Sequence, residues 1–215
     1  MKNTEFVYRL KNVLNLKTHY VMGGYGARLG KDYVNYNKEY NKEHRDEIES
    51  FYNTDPITYA FDCVCMIKAV LFWKFSGDPL LEFGGSKFDK SIDFPIATIK
   101  KNCTSSNDFE NIEIGEILFI GTSHVGVYIG NGEVIECTPA WANGVQRTLL
   151  PWRNTTNYEK LPVRTWETHG RYNMIEYPAP MNTNDSAQIR NELVTLKNEN
   201  RILKDKIAAA LGVLK

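Results

Sequence analysis

The chain predicts an α+β domain, with helices first and an antiparallel sheet after them, followed by a separate C-terminal helix. Three observations carry that prediction. Helix-period apolar segments fill the first third, β-branched runs joined by tight turns begin near residue 116, and a heptad repeat occupies the end. At 215 residues the chain suits one well-buried domain with an appendage and is too short for two full domains.

Residues 5–16 place Phe6, Val7, Leu10, Val13 and Leu14 at offsets of three and four, one face of an amphipathic helix. A Gly-rich turn follows at residues 20–26. Residues 27–56 are polar and show no β-alternation; within them residues 43–52 suit a short helix. The apolar run from Cys63 to Phe75 is a buried helix, since Lys68 and Lys74 disqualify it as a membrane span. Residues 77–112 read as loops. Strands are expected at 116–120, 124–129, 133–137 and 161–166. The Pro- and Asn-rich stretch ending at Ser186 reads as a linker. The expected organisation is a domain over 1–178, a linker over 179–186 and a helix over 187–215.

Lys+Arg and Asp+Glu balance at 26 each, which argues against a charge-driven hold on nucleic acid or an anionic membrane. The start has no apolar run behind Lys2, so it does not read as a signal peptide, and synthesis in a cytoplasm with reduced cysteines is expected.

The candidate chemistry lies at Cys63 and His124. Cys63 opens the apolar helix, where free N–H groups stabilise a thiolate or an oxyanion. His124 opens a strand, with Gly126 leaving room for a neighbour, whereas His19, His44 and His169 sit in loop-like or polar surroundings. A third polar residue must orient the imidazole. If Gly130–Gly132 close a three-residue loop with a Gly bulge, Val127 opposes Ile135 and one face becomes wholly apolar. A two-residue turn would instead put Glu136 on that face, an unpaired core charge. The bulged register places Glu136 opposite Gly126 and diagonal to His124, giving a Cys63–His124–Glu136 triad. Asp62 stands at the helix N-terminus, as a complement to its dipole or as a member of the site. Cys65, Cys103 and Cys137 read as core. The C-x-C pair lacks a second close pair or a spaced histidine, so no metal site is expected.

In order along the chain, Tyr20-Val-Met-Gly-Gly, Phe61-Asp-Cys63 and His124-Val-Gly-Val-Tyr-Ile-Gly-Asn-Gly132 resemble the NlpC-type cell-wall cysteine peptidases, a papain-like α+β family. The stretches Val134–Gln146, with Trp141, and Arg164–Gly170 resemble the branch found in bacteriophage endolysins. The resemblance implies Cys63 as nucleophile, His124 as general base and Glu136 as third member. It implies that Tyr20 lines the substrate site, with Asp62 and Trp141 as further substrate-binding candidates, and that no cofactor is used. The implied reaction is hydrolysis of an amide in the peptidoglycan stem peptide, commonly between D-glutamate and the following diamino acid. An amidase cutting at muramoyl-L-alanine and a non-catalytic wall-binding relative are the alternatives. Cys65 departs from the family's usual glycine, and residues 27–60 form an insertion. Such a protein would reach the wall through a membrane lesion made by another protein.

In the tail, Ile189, Leu196, Leu203 and Ala210 share one heptad position, and Leu193, Asn200, Ile207 and Leu214 the other. Leucine at d with one asparagine at a favours a parallel two-stranded coiled coil over residues 189–214, the alternatives being another coiled-coil oligomer or an amphipathic helix docked on its own domain. Glu192 with Lys197, and Glu199 with Lys204, fall at g and the following e, spaced for pairing between chains.

Overall fold

The computed structural model describes residues 1–31, 39–72, 93–151 and 160–178, together with helical positions at Leu196, Glu199, Asn200, Leu203 and Ile207. The chain divides into two compact units, Met1–Tyr177 and Pro178–Lys215. The first is α+β. Its elements run α1 (Asn3–Val13), β1 (Lys17–Tyr20), β2 (Tyr25–Arg28), α2 (Glu39–Glu43), α3 (Arg45–Ser50), β3 (Thr58–Phe61), α4 (Cys63–Phe72), α5 (Ile96–Lys101) and β4 (Cys103–Ser106). They continue with β5 (Ile117–Ile120), β6 (His124–Gly130), β7 (Glu133–Thr138), β8 (Gly144–Leu149) and β9 (Thr168–Tyr172).

Strands β4 to β9 form one antiparallel sheet of order β4-β9-β5-β6-β7-β8. Phe6, Val7, Leu10 and Val13 bury the predicted face of α1. With Met66, Ile67 and Val70 of α4, they join Val125, Val127, Ile129, Ile135 and Cys137 in the main core. The opposite face of the sheet carries a smaller cluster of Leu118, Tyr128, Val134, Leu150 and Trp166. Both faces of β6 and β7 are therefore covered, and a polar residue among them must find its partner inside the protein.

The hairpin differs from the expected one in detail. Asn131 and Gly132 (φ 55° and 79°) form a two-residue turn with Gly130 opposite Glu133. The extra residue sits instead between Tyr128 and Gly130. Positive φ at both central residues suits the twist of a tight hairpin. The shift restores Val127 opposite Ile135 and Gly126 opposite Glu136, so the apolar face is the expected one.

Residues 17–61 depart further. A second sheet of order β1-β3-β2 stands where a turn and a polar stretch were expected, with β1 parallel to β3. Its strands are four residues long and pair across about forty residues of sequence, so no local alternation announces them. The expected strand at 161–166 is absent apart from a single bridge from Val163 to Leu149. The late strand is β9, whose polar sequence Thr-His-Gly-Arg-Tyr is held between β4 and β5. Strands β4 and β8 were likewise unexpected. The expected end of α4 at residue 75 lies outside the described residues.

Candidate active site

Asp62 starts the site. It is 4% exposed, and both carboxylate oxygens are occupied: Oδ1 accepts from the Cys65 N–H at 2.6 Å and Oδ2 from the Gly23 N–H at 2.7 Å. The first bond caps α4 and the second ties it to the Gly-rich turn after β1. Asp62 is thus a cap that positions Cys63 at the first turn of the helix. Burial raises its pKa, against the lowering effect of those two N–H groups.

Cys63 is 7% exposed. Burial, and then the Asp62 carboxylate, push its thiol up to about 12, while the main-chain N–H groups of Val64, Val125 and Cys63 itself oppose the rise. The resting sulfur is a neutral thiol lying beside the chain that immediately follows His124.

His124 donates to Glu136 Oε2 at 2.6 Å through Nε2, since the ionised carboxylate can only accept. Its Nδ1 has no hydrogen-bond partner among the described residues. Its ring stacks on Trp166 with centroids 5.5 Å apart and planes 14° from parallel. Gly126 makes that stack possible, because a Cβ there would come within 2.8 Å of both the Trp166 ring and Val134.

Glu136 is fully buried. Burial alone would raise its pKa, but bonds from His124, from Thr148 Oγ1 at 2.6 Å and from Arg164 Nε at 2.8 Å outweigh it and hold the carboxyl below its ordinary value. An ionised Glu136 fixes the imidazole with its Nδ1 edge available.

The remaining predicted residues lie nearby in different ways. Tyr20 is buried, and its hydroxyl is held far above the usual range by burial and by its nearness to Cys63 and Asp62. Its ring meets Tyr40 of α2 edge-on at 5.5 Å. Residues 39–61 thereby pack against the site through Tyr40 and through Asn41, whose amide brackets the Met22 backbone at 2.8 and 2.9 Å. Trp141 is 54% exposed on the turn between β7 and β8. Gln146 holds that turn, donating to Thr138 O, Ala140 O and Gly144 O and accepting from the Ala142 N–H.

Three site residues escaped sequence reasoning: Thr148, Arg164 and Trp166. The gap at Gly126 called for a large neighbour, and a fully buried Glu136 called for more than a histidine. Neither signal names a residue far along the chain. His19 and His169 also differ from expectation. Both are 3% exposed, on β1 and β9, so neither stands in a loop-like setting.

Among the described residues, no three His, Cys, Asp or Glu side chains come together as metal ligands. None of the described helices is long and apolar enough to cross a membrane. What fold and site define is an α+β domain with a capped-helix cysteine beside a strand-borne His–Glu pair. No model of a known protein family matches the chain, and no curated protein sequence matches it.

Proposed function

We propose that the protein is a cysteine hydrolase of the papain-like, NlpC type that cuts an amide in the peptidoglycan stem peptide. The observation that carries the reading is the bond between His124 Nε2 and the buried Glu136, with Nδ1 unbonded among the described residues and the Cys63 sulfur near the N–H of the adjacent Val125.

Because the resting thiol is neutral, His124 Nδ1 takes its proton as Sγ attacks the carbonyl carbon. The Glu136 carboxylate stabilises the imidazolium that results. The N–H groups at the start of α4 face the developing oxyanion. As the C–N bond breaks, His124 returns the proton to the departing amine, leaving a thioester on Cys63. Water then attacks the thioester, His124 takes a proton from it, and the collapse frees the carboxylate product and restores the thiol.

The bond favoured is D-glutamyl to diamino acid, on the strength of the family resemblance alone. Wild type incubated with purified peptidoglycan should release fragments whose masses carry a new diamino-acid amino terminus, and Cys63→Ala should release none. Fragments ending at muramic acid would shift the reading to an amidase. Equal release by the two proteins would remove catalysis and leave a wall-binding protein.

The tail supports self-association. Leu196, Leu203 and Ile207 are helical and more than half exposed, and Asn200 lies on the same heptad face. A parallel dimer would bury that face and pair Glu199 with Lys204 of a second copy. Light scattering should give twice the monomer mass at micromolar concentration; a monomer there removes the dimer. Access to the wall through another protein's membrane lesion belongs to the same proposal.

A further inference from the structure

Glu47 of α3 stands where three elements meet. Its Oε1 accepts from Asn143 Nδ2 at 2.9 Å, which ties α3 to the turn between β7 and β8. The same oxygen lies 3.7 Å from Nε2 of His19 on β1, too far for a hydrogen bond. Oε2 faces His44 Nδ1 at 3.3 Å. His19 is 3% exposed, and its ring lies against Phe51 with centroids 4.6 Å apart. Around this junction Lys17 Nζ lies 5.3 Å over the Phe51 ring, Arg45 bonds Glu49 at 2.7 Å, and Tyr40, close to Glu43, stacks on His44.

The β7–β8 turn is held at its root by the Val145 N–H, which donates to Thr18 Oγ1 at 2.9 Å, and at its tip by Asn143. The tip carries Trp141, 54% exposed, with the Arg164 guanidinium 4.7 Å over its ring. The Asn143 carbonyl also accepts from the Tyr20 N–H at 3.4 Å, so the tip adjoins the strand that brings Tyr20 near Cys63.

An imidazole nitrogen without a proton repels a carboxylate, and the same nitrogen protonated is a charged donor. The 3.7 Å gap fits the first state. Closing it to the roughly 2.8 Å of a charge-assisted bond takes a shift of about 1 Å in an oxygen already serving Asn143. We propose that His19, Glu47 and Asn143 form an acid-operated switch, in which protonated His19 draws Oε1 from Asn143 and frees the tip of the turn with Trp141. Burial lowers the His19 pKa from 6.5 against the pull of Glu47, with His44 adding to the lowering, so the switch operates below that pH. That the freed tip borders a substrate rests on the hydrolase reading; the switch itself rests on the shared oxygen.

The test follows Trp141 by fluorine resonance in full-length protein labelled with 5-fluorotryptophan, its line identified by its loss in Trp141→Phe. Between pH 7.5 and 5 that line should move as a one-proton titration with its midpoint below 6.5. His19→Asn should abolish the movement, and His44→Asn should keep it, because His44 faces the other oxygen. Asn143→Gly suits the φ of 48° at that position and cuts the tie from the turn's side. Its Trp141 line should stand near the wild-type acid position throughout, which carries the test if the His19 variant fails to fold. A line that stays put on acidification, titrates alike in His19→Asn, is lost as a titration in His44→Asn, or titrates in Asn143→Gly as in wild type overturns the switch. The shifts are read without substrate, so a wild type that titrates as described yet releases nothing from peptidoglycan removes the hydrolase reading and leaves the switch standing.

Discussion

The same sheet holds two histidine–glutamate pairs, each with a buried carboxylate, and they differ in how the ring is bonded. His124 gives one nitrogen to Glu136 and keeps Nδ1 open, with 15% of its side chain exposed. His169 uses both nitrogens, Nδ1 with Glu116 and Nε2 with the Asp108 carbonyl at 2.9 Å, and its side chain is 4% exposed. A ring with both nitrogens facing acceptors is held as a cation and has no lone pair with which to take a proton. Burial lowers the His169 pKa, but the Glu116 bond and the Asp108 carbonyl outweigh it, and the net shift is upward. Arg171 reaches Glu116 at 3.5 Å, much as Arg164 reaches Glu136. What separates a site from a strut is therefore the bond left unmade.

The largest contrast should come from removing each ring. His124→Ala should lower wall hydrolysis per folded molecule by about a thousandfold or more, comparable to losing the base of other nucleophile–base systems. His169→Ala should leave that rate within about twofold but reduce stability by about 3 kcal/mol, because it strands buried Glu116. Denaturant melts alongside the assay separate the two effects.

Next in size is Gly126→Ala. The new Cβ would stand 2.8 Å from the Trp166 ring and from Val134, so the strand or the indole must shift. We expect a loss of about 1–3 kcal/mol and a displaced Trp166, seen as a changed near-ultraviolet spectrum. An alanine variant melting with wild type would mean that the stack on His124 is looser than described.

The smallest effect is electrostatic and differs in sign along the sheet. His169 has a raised folded pKa, so its stabilisation is complete below the unfolded value of 6.5 and fades as pH rises through the folded pKa. Glu136 has a depressed one, so its contribution is present above about 4.5 and fades as pH falls through the folded value. Buried His19, whose pKa is lowered by burial, contributes above 6.5 and loses that contribution as pH falls. Melting temperatures from pH 6 to 9 should fall less steeply in His169→Asn than in wild type; parallel curves would remove the cationic assignment. Alkylation of Cys63 by iodoacetamide should rise steadily across the same range, as befits a thiol held near 12, with no plateau on the acid side.

The sequence makes the His124–Glu136 half of this comparison more legible than the His169–Glu116 half. Val125, Val127, Ile129, Ile135 and Cys137 specify one face of the β6–β7 hairpin, and a one-residue slip would bury Glu136 among them. That local pattern brings Glu136 to His124, and the apolar run that starts at Cys63 gives the helix and its N-terminus. Arg164 and Thr148 were hidden because β8 pairs through a turn whose geometry depends on Gln146, and because Arg164 lies on no strand. His169 sits in the polar surroundings expected of it, but on a strand, which β9 does not announce because it is polar along its length with no alternation. The sheet of β1, β2 and β3 was lost for a related reason: its order is decided by distant pairing, with Phe61 closing on Tyr20 and Tyr25 at once.

Glutamate-to-glutamine changes at the two pairs, assayed side by side on purified peptidoglycan per folded molecule, test the central claim most directly. Glu136→Gln should lose about a hundredfold or more in the release of new amino termini, since the imidazolium loses its counter-charge. Glu116→Gln should keep the wild-type rate to within about twofold. A wild-type protein that releases none, or two variants whose rates fall together, would contradict the account.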